Sequence, residues 1–305
     1  MSMRSRFGPA LLAASLMAAA PAAFAQDMTT PAPTPSSNPY GNNVEEYFDR
    51  WFQRSQAAKD SQPSWMTPLV TVTPRLEQEF RYDQYWEHAG NHANIDQFDS
   101  GKGLELIPTL TNEVLINLPP YLDRSNTKPA SGWGDWPFLV VKQRLLSANA
   151  QDGDYILTAF LGLTAPTGAP AFTGKAWLIT PTIAGGKGWG KFDFQTTLGV
   201  ALPTGYHDVL GDALTWNIAF QYHVLPPLWP QVEVNLTHWY GGERDARTQI
   251  FITPGIILGR FPLAGRLNLA VGLGYQVAVS PKLVTSPALT PTYNHAWIAT
   301  VRTPF

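Results

Sequence analysis

The sequence predicts an all-β chain: a transmembrane antiparallel β-barrel of about 12 strands, with 10 as the fallback, preceded by a short amphipathic helix. Three observations carry this. From Leu69 onward apolar residues recur at every second position, the period of a strand with two different faces. Several segments outrun the usual strand of about 5–6 residues and reach the roughly 9–11 that cross a bilayer at a tilt. Eleven Trp and eleven Tyr recur near segment ends, as in the aromatic girdles of membrane barrels. A soluble sandwich would put charge outside, large aliphatics inside, and would leave long edges to protect.

The chain opens with Arg4 and Arg6, an apolar run from about Pro9 to Ala20, and Ala23-Phe24-Ala25. That order is a secretory leader, with cleavage expected after Ala25. An exported chain without cysteine has no disulfide scaffold, thiol nucleophile or thiolate metal site. A formal net charge of −2 with no basic face argues against a nucleic-acid partner. Past the leader no apolar run approaches the roughly 20 residues of a membrane helix. Residues 26–42 are Pro/Ser/Thr/Asn-rich and read as a tether. Val44, Tyr47, Phe48, Trp51 and Phe52 then fall at helical spacing, giving a short helix at about 43–58. Such a helix plugs or caps the domain, lies on a membrane surface, or packs against its neighbours. The expected organisation is 1–25 leader, 26–62 tether and helix, and 63–305 barrel.

Eleven alternating segments follow, near 71–87, 103–118, 134–147, 154–165, 175–185, 190–202, 213–225, 231–240, 248–259, 266–279 and 292–305. Single-chain bacterial barrels have even strand numbers, so a twelfth strand is expected near 60–70 or in 280–293. In the first segment Arg75, Glu77, Glu79, Arg81 and Asp83 share one face, while Val72, Leu76, Phe80, Tyr82 and Trp86 share the other. The charged row is assigned to the lumen, because a basic residue at the lipid midplane costs about 2–4 kcal/mol. Buried ions need partners, and Glu105, Glu113, Lys142, Arg144 and Glu233 are expected to continue the network. Trp86, Trp133, Trp177, Trp189, Trp239 and Trp297 are the expected interface aromatics.

Little in the chain points to catalysis. Glu77 and Glu79 could be read as a catalytic carboxylate pair, but a row alternating in sign fits a lumenal salt-bridge ladder better. His88 and His92, with Asp96 and Asp99 nearby, resemble a metal cluster in composition, yet a Gly/Asn-rich stretch does not align two rings on a helix. No Gly-x-Ser-x-Gly elbow is present. "AGGKGWGK" lacks phosphate-loop spacing. No cofactor, metal or catalytic residue is expected.

The alternating strand Tyr293–Phe305 ends in Phe, and in this it resembles the terminal recognition strand of bacterial outer-membrane barrels. The resemblance makes Phe305 the assembly-signal residue and implies the barrel-assembly machinery and outer-membrane lipid as partners, in a Gram-negative outer membrane. Over roughly 65–305, "PLVTVTPRLEQEFRYD", "GWGDWPFLVVKQRLL", "LGLTAPTG" and "LGVALPTG" resemble the family of outer-membrane proteins named for the meta-cleavage pathway of phenol degradation. The matching positions are Gly132, Gly134 and Asp135, Lys142 and Arg144, Pro166-Thr167-Gly168 and Pro203-Thr204-Gly205. The resemblance implies an outer-membrane barrel and associates it with hydrophobic or aromatic compounds. The expected function is a channel or uptake barrel for small solutes. A lipid-active hydrolase or acyltransferase and a non-conducting structural barrel stay open as alternatives.

Overall fold

The computed structural model describes residues 38–305 except 90–93, 100–101, 126–127, 129 and 281–292. The leader, most of the tether, His92 and most of 280–293 lie outside the described residues. Helical periodicity at 43–58 resolves into two helices, α1 (Val44–Asp49) and α2 (Trp51–Asp60). Asn43 caps α1 by accepting from the Glu46 N–H at 2.9 Å, and Glu46 Oε2 accepts the Asn42 N–H at 2.8 Å. This reciprocal bonding satisfies donors that a helix start leaves orphaned. The described residues up to Arg50 belong to one unit, and those of Trp51–Phe305 to another.

The second unit is a closed antiparallel barrel of 12 strands. They comprise β1 (Glu79–His88), β2 (Asn94–Phe98), β3 (Gly103–Leu106), β4 (Asn112–Asn117), β5 (Tyr121–Arg124), β6 (Ser131–Trp133), β7 (Trp136–Ala148) and β8 (Tyr155–Ala165). There follow β9 (Leu178–Trp189), β10 (Phe192–Pro203), the short helix α3 (His207–Leu210), β11 (Asp212–Tyr222), β12 (Leu228–Tyr240), β13 (Thr248–Ala264), β14 (Leu267–Ala278) and β15 (His295–Pro304). Three walls are interrupted, so β2/β3, β4/β5 and β6/β7 each count once. The β4/β5 break falls at Pro119-Pro120, which bring no N–H to a ladder. β15 closes the barrel on β1 along its whole length, from Glu79↔Pro304 to His88↔His295.

Two expectations about strands need correction. Segment 103–118 is not one strand but the hairpin β3–β4, turned at 107–111 where Asn112 N donates to Thr109 Oγ1 at 2.9 Å. This supplies the twelfth strand, and no strand forms at 60–70. Nor does the first strand begin at 71: β1 starts at Glu79, and Arg75 and Glu77 precede it.

Alternation sorts the wall cleanly. Phe80, Leu161, Leu198, Trp216, Leu273 and Val301 stand on the outer face, each 40–48% exposed. A soluble protein rarely shows so continuous an apolar exterior, and a bilayer requires it. The inner face carries buried Gln195, Gln221, Gln231, Asn235, Gln276 and Thr253. Their amides join hand to hand: Gln221 Nε2 donates to Gln231 Oε1 and Gln231 Nε2 to Glu233 Oε1, both at 2.7 Å. The longest connections, such as 166–177 and 204–211, lie at one end, and the two-residue turns 190–191 and 265–266 lie at the other.

Residues 61–78 occupy the lumen as an irregular strap with bends at 69–71 and 74–75, almost entirely buried yet unpaired with any strand. Two of its large apolar side chains, Trp65 and Leu69, sit where the wall is glycine. A Cβ at Gly186 would lie 2.5 Å from the Trp65 ring, and at Gly255, Gly272 or Gly274 it would lie 2.4–2.7 Å from Leu69. At Gly274 Leu69 is the only atom closer than 3.3 Å. Gly274→Ala is therefore expected to destabilise the barrel by about 1–3 kcal/mol, and Leu69→Ala to recover much of that loss. Melting followed by the loss of heat-sensitive gel mobility checks this; equal effects of Gly274→Ala with and without Leu69→Ala would refute the seat.

Candidate functional site: a lumenal strap held by charged side chains

A chain enclosed in a barrel has no ladder partner, so its peptide groups must bond to side chains or water. Here side chains supply the bonds, and charge sorts them. Basic groups and amides take carbonyls. The Arg75 guanidinium donates to Pro63 O and Trp65 O, and Arg260 donates to Trp65 O at 3.0 Å. Gln195 Nε2 reaches Met66 O at 2.9 Å. Arg302 takes Thr67 O and Pro68 O, and Arg81 takes Leu69 O. Thr158 Oγ1 donates to Pro74 O at 2.6 Å, and Lys142 Nζ to Arg75 O at 3.2 Å.

Carboxylates take the N–H groups. Glu233 accepts from Val70 N at 2.9 Å and Thr71 N at 2.6 Å, one on each oxygen, and Glu113 Oε2 accepts from Glu77 N at 2.6 Å. Pro63, Pro68 and Pro74 have no N–H to satisfy. The same ions also pair with one another: Arg75–Glu77 at 2.8 Å, Arg81–Asp83 at 2.7 Å and Lys142–Glu113 at 2.9 Å. Glu79 and Glu105 are buried register partners across β1–β3. Arg144 turns to the mouth of the barrel, where it donates to Ala58 O in the last turn of α2 at 2.8 Å and to Leu110 O at 2.6 Å. A positive group at a helix C-terminus is favourable for the exposed carbonyls there.

The sequence-predicted charges are thus all brought to the interior, but not as a ladder on one strand. Arg75 and Glu77 belong to the strap; Glu79, Arg81 and Asp83 belong to the wall. The network's contacts are as much with peptide groups as between ions. Sequence reasoning missed Arg302 and Gln195, which lie on inward positions of β15 and β10, and Arg260, which is exposed near the end of β13 and reaches back to the strap. It also missed the strap, for which three prolines within twelve residues were the available signal.

Among the tryptophans, Trp86, Trp133, Trp177, Trp189 and Trp297 face outward and are 41–57% exposed. Trp86 and Trp297 are register partners. Trp239 corrects the assignment: it is 2% exposed, points inward beside Ala213, and has the Arg244 guanidinium 5.0 Å from its ring centroid. Phe305 donates its N–H to Gln78 O at 3.0 Å, and its main-chain carboxylate oxygen accepts from Lys59 Nζ at 3.2 Å. His88 stacks on His295 at 4.6 Å and bonds Asn94, and no cluster of three or more metal-ligating residues occurs among the described residues.

In sequence, no family model and no curated protein matches the chain. In structure it is similar to the NanC porin, at 9% identity and a TM-score of 0.48, over 74% of this chain and 98% of that one. It is also similar to OmpT, an outer-membrane protein of Vibrio cholerae, at 10% identity and a TM-score of 0.38, over 74% of this chain and 96% of that one. The chain is a closed antiparallel β-barrel of 12 strands with an apolar outer face.

Glu233 is the strap's main acceptor, which makes it testable. The chain has no cysteine, and Val72 is half-buried in the strap, so Val72→Cys is a clean reporter. A hydrogen bond to a charged group contributes about 1.5–3 kcal/mol, so Glu233→Ala is expected to speed labelling of that cysteine by an aqueous thiol reagent about tenfold or more. Fast labelling that is equal in both backgrounds would contradict the assignment.

Proposed function

We propose that the protein is an outer-membrane channel whose lumen is closed by the strap at 61–78 and which passes small solutes when that strap moves. The observation that supports this reading is the way the lumen is filled. A permanent core would be built from wall side chains interdigitating with each other; here the wall carries glycine seats and polar groups aimed at a separate length of chain. Strap contacts are side-chain hydrogen bonds and apolar contacts of Trp65, Met66, Leu69 and Leu76, so it can leave without unzipping any strand. The remaining wall is lined by Gln, Asn, Thr and charge, which water can solvate once the strap is gone. By this reading the short-turn end faces the periplasm. That the solute is hydrophobic or aromatic rests on the resemblance to the phenol meta-pathway family, and export through a cleaved leader rests on the sequence.

The filled lumen also favours a second reading, a non-conducting structural barrel. Planar-bilayer conductance separates the two. The full-length barrel is expected to be closed or to open only briefly, and a barrel lacking residues 26–78, which keeps all of β1, is expected to conduct steadily. A truncated barrel that still shows heat-sensitive mobility but conducts nothing would sink the channel reading. Loss of a hydrolytic or acyl-transfer activity on changing one lumenal carboxylate, with the barrel intact, would instead point to an enzyme.

A further inference from the structure

The inner wall is two-sided. Charges of both signs crowd β1, β3, β4, β7 and β15, whereas β10–β14 are lined by amides and hydroxyls. Two ionisable side chains occupy buried inward positions on those five strands, Asp193 and Glu233, and both are acids. Arg260 is exposed near the end of β13 and bonds Trp65 O. Glu233 lies midway along β12, in register with Thr253 and between Gln231 and Asn235 on the inward row. Its oxygens accept three N–H groups: Gln231 Nε2 at 2.7 Å and Val70 N at 2.9 Å on Oε1, and Thr71 N at 2.6 Å on Oε2. Accepting on both oxygens is the bonding pattern of an ionised carboxylate. Yet no basic side chain stands within ion-pair distance of Glu233 among the described residues.

Two peptide N–H groups of the strap thus stand where a counter-ion would. When the strap leaves, the pairs Arg81–Asp83 and Lys142–Glu113 stay, because both partners of each belong to the wall. Arg302 gives up two strap carbonyls, but it sits one inward rung from the Glu79–Glu105 level. Glu233 keeps one neutral amide.

We infer that Glu233 is a cation site of the opened lumen: a small monovalent cation replaces the Val70 and Thr71 N–H groups there, and the pore passes such cations in preference to anions. Carboxylates lining a pore select cations. Thr253, Gln231 and Asn235 add neutral oxygens beside the carboxylate, the ligand type that hard cations take. Cation and strap compete for the same two oxygens, so cation binding favours the open form. The site takes its meaning from the strap-closed channel, but the competition is measured without transport.

The test follows labelling of Val72→Cys in the full-length barrel by a neutral aqueous thiol reagent, while methylammonium chloride replaces the bulky N-methylglucamine chloride at constant ionic strength. A cation that binds only the open form multiplies its population by 1 + [L]/Kd, so labelling is expected to rise about threefold at a concentration of about twice Kd. Glu233→Gln, which keeps the shape and loses the charge, should label faster at the outset and not respond to methylammonium. Glu243→Gln, exposed in the loop after β12, should respond as the unaltered barrel does. Heat-sensitive mobility confirms that each variant is folded. In planar bilayers under a KCl gradient, openings of the full-length barrel should show a potassium-preferring reversal potential, which Glu233→Gln shifts towards zero. No effect of methylammonium, or an equal effect in Glu233→Gln, would overturn the site; chloride-preferring openings would overturn the selectivity. A methylammonium effect with no openings in any barrel would keep the site and reject the channel.

Discussion

One constraint organises the interior: a length of backbone enclosed in a sealed sheet has no strand left to pair with. Every wall strand already spends its N–H and C=O groups on its two neighbours. The strap's peptide groups must therefore be met by side chains, and each one left unmet would cost roughly 1–3 kcal/mol. Arg81, Arg302, Lys142 and Arg260 exist at their positions to donate, and Glu233 and Glu113 to accept. Proline in the strap lightens the same demand by removing donors. The buried ions gain twice, from each other and from peptide dipoles, which is how so many can be kept in one lumen.

The constraint also shapes the wall. Enclosed chain needs close approach on both sides, and the barrel grants it by glycine at Gly186, Gly255, Gly272 and Gly274. Wall and strap are complementary surfaces of one chain, joined covalently only at Gln78–Glu79. Stability then divides. Global opening means breaking the ladders, whereas strap opening breaks a finite set of side-chain bonds and frees Trp65 and Leu69. The second process leaves every ladder intact.

Much of this was legible in the sequence, and the misses have physical causes. Period two placed Phe80 outside and Glu79, Arg81 and Asp83 inside because the two faces meet different solvents. The same periodicity hid the β3–β4 hairpin. Leu106 pairs with Val114, both even-numbered, so the alternation runs through the turn unbroken. It hid the start of β1 for a similar reason: Val72, Pro74 and Leu76 keep phase with Phe80 and Tyr82, though the former lie in the strap. Trp239 was misassigned against its own parity, since Glu233, Asn235 and Trp239 all point inward. The inward charges were visible as a set, but their partners were not, because a peptide carbonyl in the strap leaves no mark on composition.

Hydrogen exchange of the barrel in lipid nanodiscs tests the central claim most directly, that wall side chains hold the strap's backbone in the lumen. The Val70 and Thr71 amides are expected to exchange far more slowly than those of an unstructured peptide, and Glu233→Ala is expected to accelerate these two while β12 and β13 amides stay slow. Unprotected amides at Val70 and Thr71 in the unaltered protein, beside fully protected strands, would show that the strap does not occupy the lumen and would contradict the account.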